Sequence, residues 1–171
     1  MRSVLLFALL APPCALAQDA SFVSVPGQDW GLRFESSLVK SHKGASNGAE
    51  FQLQIETTGG LYATVFVEPA EGKGVDSQEC KEFYWASAQK NPRIDSDTIQ
   101  SAPSGDFVKV SYIVRAELNG MSIVQPNANY YGHRSGKCID VHVSQPFLKG
   151  DPVDYTNLKL FEATLKYASV P

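Results

Sequence analysis

The chain has 171 residues, 43% hydrophobic and 19% charged, with 15 Lys and Arg against 18 Asp and Glu for a net charge of −3. A slightly acidic chain with no basic stripe excludes nucleic acid as a partner, and about 150 residues beyond a leader suffice for one domain with a substantial core. No apolar run beyond the N-terminus reaches the ~20 residues that a membrane span needs.

The first residues read "MRSVLLFALLAPPCALA". Arg2 supplies a positive start, Val4 to Leu10 an apolar core, and Ala15-Leu16-Ala17 a small-x-small cleavage site. That pattern predicts a signal peptide over residues 1–17 and a single secreted α+β domain over 18–171, in the periplasm or outside the cell. Pro12-Pro13 interrupts the apolar run and precedes Cys14, whereas a lipidated cysteine follows small residues. Cleavage removes Arg2 and Cys14, so Cys80 and Cys138 remain. In an oxidising compartment two cysteines of a small domain form one disulfide. A loop of this length gives about 4 kcal/mol in the chain-entropy model, less any native strain.

"SFVSV" (21–25) and "WGLRFES" (30–36) alternate around Pro26-Gly27 and predict two short strands. "SHKGASNGA" (41–49) reads as a polar loop. "EFQLQIETT" (50–58) is a strand with Phe51, Leu53 and Ile55 on one face, joined by Gly59-Gly60 to "LYATVFVE" (61–68) as a hairpin. "DSQECKEFYWASAQKNP" (76–92) is the first helix, with Asp76 as cap and Glu79 completing a capping box. Its inward stripe is Cys80, Phe83, Tyr84 and Ser87 or Ala88; Trp85, at a spacing more often core than ligand platform, lies off that stripe, which favours its exposure. "PRIDSDTIQSAPSG" (92–105) is a weak strand between loops.

Three strands follow, "DFVKVSYIVRA", "MSIVQPNANYY" and "KCIDVHVSQ", separated by "ELNG" and "GHRSG" as turns. In the tail, Asp151 as cap, Pro152 and the spacing of Leu158, Phe161 and Leu165 predict a C-terminal helix. The order of strands, helix, strands and helix makes an α+β domain on a mainly antiparallel sheet flanked by helices.

Register decides what the last three strands expose. Pairing Val114 with Val124, and Tyr130 with Ile139, makes one face apolar for the C-terminal helix to cover. The opposite face then collects Lys109, Asn127, Asn129, Asp140 and His142, with Phe107, Tyr131 and Cys138 at one end. A Cys80–Cys138 bond would seat the first helix over that end. The polar remainder would lie beside the helix, in water or as the floor of a shallow groove.

Cys138 and His142 are four residues apart on one strand, about 13 Å, too far for a cysteine hydrolase pair. Asp140 and His142 project from one face and could serve a hydrolase or a metal ion. Catalytic zinc wants three protein ligands, however, and His42 and His133 lie in a loop and a turn. No G-x-S-x-G elbow supports a serine hydrolase. No catalytic residue, metal set or cofactor is therefore assigned. Amides and aromatics around Asn127-Ala-Asn129-Tyr-Tyr131 could read a sugar or peptide, or form an ordinary wet sheet face.

"SVPGQDWGLRF", the central helix and the closing "ANYYGHRSGKCIDVHVSQP…LFEATLKYAS" resemble the PsbP-like fold family. Its members include the photosystem II oxygen-evolving subunit P and DcrB-type bacterial envelope proteins. The resemblance implies an α/β/α sandwich and a non-catalytic binding or assembly role; it carries over no functional residue. The expectation is an exported protein that recognises a protein or envelope component through Lys109, Asn127, Asn129, Asp140, His142 and nearby Trp85. The alternatives are a hydrolase or metal-dependent enzyme using Asp140 and His142, or a small-molecule carrier with a pocket between the first helix and the sheet.

Overall fold

The computed structural model describes residues 18–170; the leader expected at residues 1–17, with Cys14, lies outside them. The first half runs β1 (Gln18–Ser24), β2 (Trp30–Ser37), β3 (Val39–Asn47), β4 (Glu50–Thr57), β5 (Tyr62–Pro69) and α1 (Ser77–Ala88). The second half runs β6 (Ile94–Ser104), β7 (Phe107–Leu118), β8 (Met121–Arg134), β9 (Lys137–Ser144), β10 (Phe147–Leu148), α2 (Thr156–Thr164) and β11 (Lys166–Ser169). This is an α+β fold on antiparallel sheets, as the order of sequence patterns implies.

The main sheet has the order β3-β4-β5-β9-β8-β7-β6, with the short β10 extending the line of β9 along β8. It consists of two antiparallel meanders joined where β9 returns beside β5. Because α1 links β5 in the middle of the sheet to β6 at its edge, it must cross one face, and it packs there on β7, β8 and β9. A smaller sheet, β1-β2-β11, and α2 occupy the opposite side.

The two faces differ in what they bury. On the α2 side Leu32 and Phe34 of β2, Val65 and Val67 of β5, Val141 and Val143 of β9, Tyr130 of β8, and Leu158 and Phe161 of α2 form one apolar core. Phe161 sits between Phe34 and Tyr130, with ring centroids 4.6 and 6.1 Å away. Complete burial of such side chains is worth about 1.5–3 kcal/mol each, so this core dominates the stability. On the α1 side Trp85 packs on Tyr112, and Tyr84 stacks on Tyr131. The Cys80–Cys138 disulfide pins the N-terminal end of α1 to β9, with Cα atoms 5.7 Å apart.

Several elements depart from the sequence expectation, each for an identifiable reason. Residues 41–49 are not a loop: most belong to β3, which pairs with β4 along its length and turns at Gly48 with φ 58°. Backbone pairing to a strong neighbour overrides weak strand propensity here, and β3 stays exposed because nothing covers it. On α1, Trp85 is only 8% exposed and Phe83 is 47% exposed, the reverse of the expected stripe. Three consecutive aromatics at ~100° each spread around more than half the helix. The bond at Cys80 and the crossing of β7 and β8 turn the Trp85 side inward.

The β7–β8 register differs by one residue: Val114 pairs with Gln125 and Tyr112 with Asn127. Asn119 and Gly120, with φ 51° and 79°, make a two-residue turn, so Leu118 pairs directly with Met121. A two-residue turn with both φ positive suits the strand twist better than a four-residue loop. Likewise Ser135 and Gly136, with φ 49° and 70°, make the next turn and set Tyr130 opposite Val141. That shift of two residues keeps the face and changes the neighbours.

In the tail, α2 starts later than expected. Asp151 does not cap it; the Asp154 side chain accepts the Thr156 N–H at 2.9 Å, and the chain after Leu165 returns to β2 as β11. Pairing with β2 supplies the backbone hydrogen bonds of the last residues.

Candidate functional site

The antiparallel pairings of β4, β5, β9, β8 and β7 place their α1-side residues in rows across the sheet. One row runs Glu56, Tyr62, Ser144, Asn127 and Tyr112; the next runs Gln54, Thr64, His142, Asn129 and Val110. A third runs Gln52, Phe66, Asp140 and Tyr131. Helix α1 covers the β7–β8 end of these rows, and the β4–β5 end lies open.

Under the helix most of the polar groups satisfy one another. The Tyr112 hydroxyl donates to Asn129 Oδ1 at 3.0 Å, and Asn129 Nδ2 donates to Asp140 Oδ1 at 2.9 Å. His142 Nε2 lies 2.9 Å from Asn127 Oδ1, whose Nδ2 donates to the Gln125 carbonyl at 2.6 Å. Because Asn127 Oδ1 can only accept, His142 carries its proton on Nε2. The Tyr84 hydroxyl donates to the Glu68 carboxylate, which Lys73 also approaches at 3.5 Å. The Tyr131 hydroxyl, opposite Asp140 in the register, is buried with no partner.

Burial sets the charge states of this network. Desolvation pushes the Asp140 carboxyl up to about 7; the Asn129 hydrogen bond opposes this, and the nearby Glu68 charge adds to it. Burial pushes His142 down to about 4, so its imidazole is neutral at physiological pH. Desolvation, followed by the contact with Glu68, holds the Tyr84 phenol protonated far above neutrality. The site is thus a line of uncharged donors and acceptors around one carboxyl that titrates near neutral pH.

Of the residues expected to form the contact face, Asp140, His142, Asn127 and Asn129 do share one side of the sheet. Asn127 and Asn129 are buried, and they hold His142 and Asp140 in place rather than meeting solvent. Lys109 is not with them. The one-residue change of register turns it to the α2 side, where it pairs with Glu162. Trp85 lies over the same side but does not meet solvent, since it is buried against Tyr112.

Sequence reasoning missed Tyr62, Thr64 and Phe66 of β5, because the neighbour of β5 was unknown until β9 was seen to return beside it. Their alternation with buried Ala63, Val65 and Val67 was the available signal.

The residues named for the alternative readings can be placed too. Cys80 and Cys138 are joined, so neither is a thiolate nucleophile. Asp140 and His142 bind separate amides instead of each other, which is unlike the carboxylate–imidazole pair that orients a general base. Among the described residues no three His, Cys, Asp or Glu side chains gather as a metal-binding group. The space between α1 and the sheet, expected to hold a carrier's pocket, is filled by the Trp85–Tyr112 and Tyr84–Tyr131 contacts. A groove of about 480 Å³ lies instead on the other side, between α2 and β6–β8, over Ile113, Pro126 and Ala128.

No family model matches the chain, and no curated protein matches it. A solved structure from Bacteroides thetaiotaomicron VPI-5482 aligns with a TM-score of 0.49 at 12% identity, covering 86% of this chain and 48% of that one. The chain therefore spans about half the length of that protein. LpqN of Mycobacterium tuberculosis, described as involved in cell envelope biogenesis, aligns with a TM-score of 0.47 at 11% identity, over 88% of this chain and 91% of that one. Neither is described as PsbP-like. Similarity at this level carries no chemistry across. Among the described residues no helix is long and apolar enough to cross a membrane.

Proposed function

We propose that the protein is an exported, non-catalytic binding or assembly protein that recognises a protein or envelope component through the sheet face beside α1. The observation that carries this reading is the half-covered state of that face. Helix α1 seals its β7–β8 end, while Tyr62 and Phe66 stand 44% and 41% exposed on β5, two large aromatic rings on the open face of an antiparallel sheet where polar side chains are the ordinary occupants. The contact set then becomes Tyr62, Thr64 and Phe66 with Asp140 and His142 between them and the helix. Asn127 and Asn129 position the latter two.

Export is supported by the leader pattern and by a disulfide that an oxidising compartment maintains. A helix on each side of the sheet is also what the PsbP-like resemblance implies, together with an assembly role. The hydrolase alternative loses ground because the groups hydrogen-bonded to Asp140 and His142 are the amides of Asn129 and Asn127, which hold them in position.

Co-sedimentation of the mature protein with an envelope fraction tests this reading. Thr64→Lys with Phe66→Glu should abolish co-sedimentation, and Leu118→Glu, at a remote exposed position, should leave it intact. Equal binding by all three proteins contradicts the proposed face.

A further inference from the structure

We infer that the open strip of sheet beside α1 is a platform for an uncharged glycan chain, with Tyr62 and Phe66 stacking on sugar faces. This rests on the contact face proposed above and names its ligand. The two rings lie on the same side of one strand, four residues apart, so about 13 Å separates them along β5. That is the span of a few pyranose units. Between and beside them stand Thr64, Gln54 and His142 in one row and Gln52 in the next. Ring, hydroxyl and amide, ring is the order a sugar chain asks for. Its C–H faces meet the electron-rich faces of the rings, and its hydroxyls meet neutral donors and acceptors.

The charge of the strip points the same way. The Glu56 carboxylate beside Tyr62 is paired with Lys40 at 2.7 Å, and Glu68 beyond Phe66 is approached by Lys73 at 3.5 Å. His142, on the floor, is neutral. Lys43 on the outermost strand, opposite Gln54, adds a cation only at the rim. A polyanion would need a run of unpaired cations, and the strip has none. A protein partner, or a second copy of this chain, is better served by a contiguous apolar patch than by two rings held apart by polar side chains. At the helix end, Phe83 stands exposed beside Tyr84, and Lys73 lies over its ring.

The test is a calorimetric titration of the mature protein with chitohexaose and cellohexaose, two neutral β-linked oligosaccharides, and with heparin as a polyanion. The expected result is weak, saturable binding of a neutral oligosaccharide and none of heparin. Tyr62→Thr and Phe66→Thr, which keep strand propensity at exposed positions, should each lower affinity about tenfold. The double change should abolish binding, Phe66→Trp should keep it, and Leu118→Thr should not affect it. No saturable binding of either neutral oligosaccharide overturns the inference, as does binding that survives the double change or a preference for heparin. A dimer that dissociates on Phe66→Thr makes a second copy the occupant and overturns it too. If the double change abolishes envelope co-sedimentation while neither oligosaccharide binds, the glycan assignment fails alone. If envelope binding survives the double change, the contact face fails with it.

Discussion

The two sides of the main sheet are held by different physics. On the α2 side an apolar core joins β2, β5, β8, β9 and α2. On the α1 side a short helix covers a row of amides, phenols, a carboxyl and an imidazole, and a disulfide keeps it there. The same strands serve both sides, because side chains alternate along them. A side that satisfies its own polar groups and is only partly covered can lend its open part to a partner. The α2 side is filled by packing over β5 and β9, and its open part is the groove between α2 and β6–β8.

Breaking the α2-side core should have the largest effect. Phe161→Ala leaves a cavity between Phe34 and Tyr130, and it should cost about 3–5 kcal/mol in denaturant unfolding. Replacing both Cys80 and Cys138 by Ser should cost about 2–4 kcal/mol, and its damage should be local. The chain has two tryptophans, Trp30 in the α2-side core and Trp85 under α1. In single-tryptophan variants, loss of the disulfide should shift the emission of Trp85 to the red and leave that of Trp30 unchanged.

The polar network sharpens the comparison through pH. Asp140, raised to about 7 from the ordinary 3.8, keeps a proton in the folded protein that the unfolded chain gives up, so its contribution to stability falls as pH rises from 3.8 to 7. His142, lowered to about 4 from 6.5, refuses a proton that the unfolded chain takes, so its contribution falls as pH drops from 6.5 to 4. The two slopes oppose each other between pH 4 and 6.5 and leave the native protein with a shallow dependence from this site. Asp140→Asn should unmask a stability that rises with pH in that window, by up to about 1.4 kcal/mol per unit. His142→Gln should unmask the opposite slope. Parallel profiles for the two variants would contradict the assignment. The smallest effect belongs to the cap of α1. Asp76 accepts the Glu79 N–H at 2.8 Å, and Asp76→Ala should cost about 1 kcal/mol of thermal stability.

The α+β class, the β4–β5 hairpin and the Cys80–Cys138 bond were legible because each leaves a local mark: alternation, a turn, or a count of cysteines. The capping box at Asp76 was legible too, although the Glu79 carboxylate reaches the Val75 N–H instead of the cap's own. Lys109 and Trp85 were misplaced because their positions depend on a single register and a single helix rotation. Two short turns decided the registers, and Asn119 and Ser135 adopt positive φ without announcing it as a glycine would. The open strip on β5 was half legible: alternation puts Tyr62, Thr64 and Phe66 on one face but does not say that the face is open. Its exposure depends on how far α1 extends over the sheet, and the sequence of β5 does not contain that length.

The most direct test of the difference between the sides is hydroxyl-radical footprinting of the mature protein, alone and with an envelope fraction. Alone, Tyr62, Phe66 and Phe83 should be modified readily, and Phe34, Phe161 and Tyr130 hardly at all. With the envelope fraction, labelling of Tyr62 and Phe66 should fall while that of Tyr155, exposed at the start of α2, stays constant. Protection of Tyr155 with no change at Tyr62 and Phe66 would place the working surface on the α2 side and contradict a contact face beside α1.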